Sequence, residues 1–87
     1  MDGNFRTPLM FAAACNLPDC INLLCTGGSD VNLRDADGNT ALHYANAYGS
    51  VAAASALESR NANRTLENNK QLTPDDIMGK YNEVPRL

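Results

Sequence analysis

The chain of 87 residues has no tryptophan and only three tyrosines and two phenylalanines, so any core has to be packed from small aliphatic side chains. Its seven basic residues are scattered and outnumbered by ten acidic ones, giving a net charge of -3. A nucleic-acid surface needs clustered Lys and Arg against the phosphates, so nucleic acid is not an expected partner. No apolar run approaches the roughly 20 residues that span a bilayer. Met1-Asp2-Gly3-Asn4 lacks the charged and apolar regions of a signal peptide. Membrane insertion is therefore not expected, and a cytoplasmic or nuclear location is. Three cysteines, Cys15, Cys20 and Cys25, form an odd set that suits reduced thiols better than a disulfide framework.

Catalytic signatures are also missing. There is no Gly-rich phosphate loop, nucleophile elbow or pair of carboxylates on a shared apolar wall, so neither an enzyme, a cofactor nor a small-molecule substrate is expected. A zinc site needs about four ligands at metal spacing. The cysteines instead recur at intervals that place successive residues about 140° apart on a helix, and no metal is expected. His43, the only histidine, reads as structural.

What the chain does contain is a repeat. Thr7-Pro8-Leu9-Met10-Phe11-Ala12-Ala13 aligns with Thr40-Ala41-Leu42-His43-Tyr44-Ala45-Asn46, and Thr73-Pro74-Asp75-Asp76-Ile77-Met78 falls one period further on. The period of 33 residues holds without insertion, because Gly28-Ser29-Asp30-Val31-Asn32 also aligns with Asn61-Ala62-Asn63-Arg64-Thr65. Thr7 and Thr73 can each cap a helix that proline opens at its first position. Asn16 and Gly49 tolerate the left-handed conformation that stops one. Second helices are expected at Pro18 to Cys25, burying Cys20, Ile21 and Leu24, and at Ser50 to Glu58, burying Ala53, Ala54 and Leu57. Tight bends at Asp37-Gly38-Asn39 and Asn68-Asn69-Lys70 read as hairpin-like loops. The first helix of a third unit should start at Thr73, with Asp75 facing solvent, and Gly79 and Pro85 leave no room for a second helix in that unit.

A 33-residue unit of turn plus two helices, opened by Thr40-Ala41-Leu42-His43-Tyr44-Ala45, resembles the ankyrin repeat. The resemblance implies an all-α solenoid of stacked helix-turn-helix units with hairpin-like loops, in one domain over 1–87. Its units are expected at about 2–34 and 35–67, with a terminal half-repeat at 68–80. It also implies that the His43 ring hydrogen-bonds the neighbouring loop. The function that follows is a protein-interaction scaffold binding another protein or peptide on the concave face of the stack. The family's usual contact positions fall on the loop tips Gly3, Asn4, Arg6, Ala36, Asp37, Asn39, Asn69, Lys70 and Leu72, and on the first-helix residues Ala14, Cys15, Ala47 and Tyr48. Tyr48 is the expected anchor, since a tyrosine combines large contact area with a polar tip. The rival expectation is a structural end segment of a longer ankyrin array with no binding surface of its own.

Overall fold

The computed structural model describes residues 5–84. Four α-helices occur in two hairpins, α1 (Pro8–Ala14) with α2 (Pro18–Thr26) and α3 (Ala41–Ala47) with α4 (Val51–Ser59). A single turn of 3₁₀ helix follows at Tyr81–Glu83, and there is no strand among the described residues. The fold is all-helical, as the family resemblance implies. Equivalent helices stack on one another, α3 on α1 and α4 on α2, so the molecule has an inner layer (α1, α3) and an outer layer (α2, α4). Leu9, Ala13, Ile21, Leu42, Tyr44 and Leu57 form the centre of the core and are at most 2% exposed.

The inner helices start for a reason repeated in every unit. Thr7 and Thr40 lie in extended backbone, their hydroxyls accept the N–H three residues on, and the residue there, Met10 or His43, accepts the threonine N–H in return. This reciprocal box satisfies two donors that a helix N-terminus otherwise leaves open. The helices stop where Asn16 (φ 58°) and Gly49 (φ 68°) turn left-handed. Gly28 and Asn61 do the same after the outer helices.

The outer helix α4 has no side-chain cap of its own, and the preceding unit supplies one. The Ala53 N–H donates to Asn16 Oδ1 at 3.0 Å. In exchange the Ser50 hydroxyl donates at 3.1 Å to the Ala14 carbonyl, an orphan acceptor at the end of α1. The stop residue of one unit is thus the start signal of the next, which couples the two hairpins through backbone polar groups as well as apolar area.

Two expectations are corrected here. Cys20 is exposed and Leu24 only half-buried, although Ile21 is fully enclosed. Their equivalents one period on, Ala53 and Leu57, are 0% exposed because the first unit covers them. Nothing described covers the corresponding face of α2. The third unit also forms turns across residues 74–79 instead of a helix. Its capping box survives, with the Asp76 N–H donating to Thr73 Oγ1 at 3.2 Å and the Thr73 N–H donating to Asp76 Oδ2 at 3.1 Å. Gly79 at φ 76° ends the segment after little more than one turn, too short to repay helix nucleation without a second helix to pack against. Asp75 faces solvent as expected and pairs with Arg64 at 3.1 Å.

Beyond Gly79 the chain folds back. The Gly79 N–H donates to the Asn46 carbonyl at 2.9 Å, the 81–83 turn packs on α3, and Val84 joins the core at 5% exposure.

Candidate interaction surface

The loop that enters α3 is built on Asp35. One carboxylate oxygen accepts the N–H groups of Asp37 and Asn39, each at 2.9 Å, and the other accepts the Tyr44 hydroxyl. The loop closes with Asp35 N–H donating to the Asn39 carbonyl. One period later Asn68 plays the same part, its side-chain oxygen accepting from Lys70 and Leu72 and its N–H donating to the Leu72 carbonyl. An amide replaces the carboxylate without loss, because only the acceptor oxygen is used toward its own loop. The spare Asn68 amide N–H₂ donates to Asn39 Oδ1 at 2.8 Å, which ties one loop to the next.

The loops also stack through backbone. Asn69 N–H donates to the Asp37 carbonyl at 2.9 Å, and its side chain donates to the Ala36 carbonyl at 3.0 Å. Gly38 makes this approach possible: it sits at φ 80°, and a Cβ there would lie 2.9 Å from the Asn69 nitrogen. Any larger residue would be both strained and in collision.

His43 is completely enclosed. Its Nδ1 accepts the Thr40 N–H at 3.0 Å, and its Nε2–H donates to the Leu72 carbonyl at 2.8 Å. The ring therefore bridges the cap of its own helix and the following loop, as the family resemblance implies. Burial holds its pKa below the ordinary histidine value, against the opposing effects of the Leu72 hydrogen bond and the Asp35 charge. Burial, reinforced by the Asp35 carboxylate, pushes the Tyr44 phenol far above its usual range. Both groups are committed to the scaffold.

A pH dependence follows from the histidine. Its folded pKa is depressed, so above about pH 6.5 both states hold it neutral and it contributes nothing to the slope. Below that pH the unfolded chain takes up a proton that the folded chain refuses, and stability falls until the folded pKa is reached. Urea unfolding should show lower stability at pH 5.5 than at pH 7.5. The loss should be absent in His43→Gln, since this is the only histidine. A wild-type protein equally stable at both values would contradict the assignment.

The expected contact residues divide. Ala36, Asp37, Asn69 and Lys70 are exposed on the loop tips, Arg6 is half-buried, and Tyr48 is half-buried on the inner-helix side. Asn39 and Ala47 are corrections, each only 1% exposed. Asn39 is turned inward because its side chain receives Asn68, and Ala47 is enclosed in the core. Leu72 is half-buried, Ala14 is half-buried and Cys15 exposed. Gly3 and Asn4 lie outside the described residues. Tyr48 does not stand alone: its ring meets Tyr81 with centroids 6.2 Å apart at a tilt of 48°. Lys70 Nζ pairs with Glu83 at 3.1 Å. These partners come from the chain's own tail, which carries no repeat signal.

A second surface lies on the first hairpin. Phe11, Leu17 and Leu23 are 40%, 46% and 73% exposed, and with Cys15, Cys20 and Leu24 they line an apolar cleft of about 620 Å³. Among the described residues no group of three or more His, Cys, Asp or Glu is placed to hold a metal ion, and no helix is long and apolar enough to cross a membrane.

Loop, inner helix, outer helix and stacked repetition together define a helical-repeat solenoid. The sequence matches the family model described as "Ankyrin repeats (many copies)" over residues 1–45 and that described as "Ankyrin repeat" over residues 37–69. The chain belongs to the ankyrin repeat family, a protein-interaction module. It is 40% identical over 68 residues to Neurogenic locus notch homolog protein 1 of Xenopus tropicalis, covering 78% of this chain and 3% of that protein. It is 36% identical over 69 residues to Inversin of Mus musculus, covering 79% of this chain and 6% of that protein. Over a shorter stretch of 43 residues it is 51% identical to an ankyrin and IPT/TIG repeat-containing protein of Schizosaccharomyces pombe, 49% of this chain and 4% of the relative. The chain thus spans a small fraction of the length of the relatives it matches.

Proposed function

We propose that this protein is a non-catalytic scaffold that binds another protein or peptide on the side formed by the loop tips and inner helices, through Arg6, Ala36, Asp37, Tyr48, Asn69 and Lys70. The observation that carries the reading is the loop stack. Asp35, Asn39, Asn68 and His43 spend their polar groups on holding the loops in register, and this leaves Ala36, Asp37, Asn69 and Lys70 exposed on a hydrogen-bonded base, to which the Asn69 amide adds its own bond to the Ala36 carbonyl. Preorganised side chains lose little entropy on binding. Scattered basic residues and an acidic balance favour a protein partner over nucleic acid. Free Cys15 and Cys20, both exposed, suit a reducing compartment such as cytoplasm or nucleus.

The test is a partner captured from the native source and then titrated against variants. Tyr48→Ala should weaken binding by about 1–3 kcal/mol, and Asp37→Lys should act through charge, with an effect that shrinks at high salt. If both variants fold and bind like wild type, the assignment to this side is wrong.

A second reading is favoured by the apolar face of the first hairpin. Tyr44, Ala53 and Leu57, the equivalents of Phe11, Cys20 and Leu24, are 0% exposed in the second unit, which stacks on the first. In this reading the exposed face receives a further repeat, and the segment is a structural end of a longer array. Adding one ankyrin unit ahead of residue 5 should then raise the melting temperature and remove any self-association seen by light scattering.

A further inference from the structure

The tail meets the stack at two of the positions assigned above to partner binding. Tyr81 lies against Tyr48 and Glu83 pairs with Lys70, while Val84 is buried as part of the core. The 81–83 turn touches inner helix α3 and its Glu83 reaches Lys70 on a loop tip, so the tail lies against the two elements that form the partner side. Its seat is incomplete. A cleft of about 480 Å³ remains between Asn82, Glu83 and Val84 on one side and Asp37, Asn69 and Lys70 on the other.

The attachment is also of a kind that can be released. It consists of one tilted ring pair, one exposed ion pair and one small aliphatic side chain, presented by a single 3₁₀ turn, a poorly bonded element when short. It hangs from Gly79, which is left-handed and has no atom within 4 Å of where a Cβ would be. With no side chain to move past a neighbour, a swing at this residue breaks one bond to the stack, from its N–H to the Asn46 carbonyl.

We propose that the seat formed by Tyr48 at the end of α3 and by the loop tips Asp37, Asn69 and Lys70 is a binding site for a short peptide segment carrying an aromatic residue, an acidic residue two positions later and an aliphatic residue next. Residues 81–84, Tyr-Asn-Glu-Val, are its resident occupant in cis. This rests on the partner side assigned under Proposed function and gives it a ligand chemistry: an aromatic ring for Tyr48, a carboxylate for Lys70 and a methyl-bearing side chain for the floor that Val84 fills. A partner must displace the tail, whose short tether supplies an effective concentration on the order of millimolar, so the tail sets a threshold for binding.

The test uses the full chain and a fluorescein-labelled synthetic peptide of residues 80–87, followed by anisotropy. The chain carrying Tyr81→Ala and Glu83→Ala should bind this peptide at least tenfold more tightly than wild type. Adding Lys70→Glu to that variant should weaken binding at least fivefold, and a peptide carrying Glu83→Lys should restore it. A tail that acts only as a packed cap would not respond to the charge exchange. Should the double variant fail to fold by circular dichroism, Glu83→Ala alone, which touches only an exposed pair, should give a smaller gain in the same direction. Equal affinity for the wild-type and released chains, or a Lys70→Glu loss that the exchanged peptide does not restore, overturns the proposal. A partner protein that is sensitive to Tyr48→Ala while the peptide fails to bind would sink this inference and leave the partner-side assignment standing. Partner binding that ignores Tyr48→Ala would sink the assignment itself.

Discussion

Leu57→Ala is expected to destabilise the protein by about 2–5 kcal/mol, the range for truncating a leucine whose site cannot collapse. Leu57 is 0% exposed and lies in the layer where α4 packs on α2. Total stability for a chain of this length is on the order of 4–13 kcal/mol, at 0.05–0.15 kcal/mol per residue, so this one change consumes a large part of it. Leu24→Ala alters the same position of the repeat and should cost clearly less, about 1–2 kcal/mol, because Leu24 is only half-buried on the uncovered face of α2. Urea denaturation of the two variants measures the difference. Equal losses would mean that the face of the first hairpin is covered in solution, either by another copy or by a rearranged chain.

The second large effect is expected at Asp35. Asp35→Ala removes the acceptor of the Tyr44 hydroxyl and of the Asp37 and Asn39 N–H groups at once. The Tyr44 ring is 0% exposed and Asn39 1%, so their donors would be left without water. Each orphaned buried group costs about 1–3 kcal/mol, and the variant should lose about 3–5 kcal/mol in all. The mechanism has its own signature. In the background Asp35→Ala, the further change Tyr44→Phe deletes the stranded hydroxyl and should recover about 1–2 kcal/mol. In the wild-type background the same change should be destabilising. A double variant whose losses simply add would show that the hydroxyl and the carboxylate do not act together.

Much of this architecture was legible in the sequence because its causes are local and repeated. Thr7 and Thr40 cap helices through their own neighbours, Asn16 and Gly49 stop them through their own backbone, and both signals recur at one spacing. The role of His43 was legible through the family pattern around it. What escaped the reading depends on pairs of residues distant in sequence. Asn39 resembles a surface turn residue, and only Asn68 in the next loop shows why its side chain is buried. Asn16 reads as a helix stop, while its second task, capping Ala53 in the next unit, exists only after the units stack. Cys20 and Leu24 sit at core positions of the repeat, yet core status there requires a covering unit on the far side. The first helix of the third unit fails for lack of a packing partner. The tail has no repeat equivalent, so its return over α3 through Tyr81 and Glu83 left no periodic trace.

The most direct measurement of the central claim is an amide chemical-shift footprint of the isotope-labelled chain as a captured partner is added. The account predicts changes at Ala36, Asp37, Asn69 and Lys70 on the loop tips, at Tyr48 on the inner side, and at Tyr81 to Glu83 as the tail is displaced. Resonances on the outer face of α2 and α4, such as Leu23, Val51 and Ser55, should stay in place. A footprint confined to those outer helices, with the loop tips and Tyr48 unmoved, would contradict it.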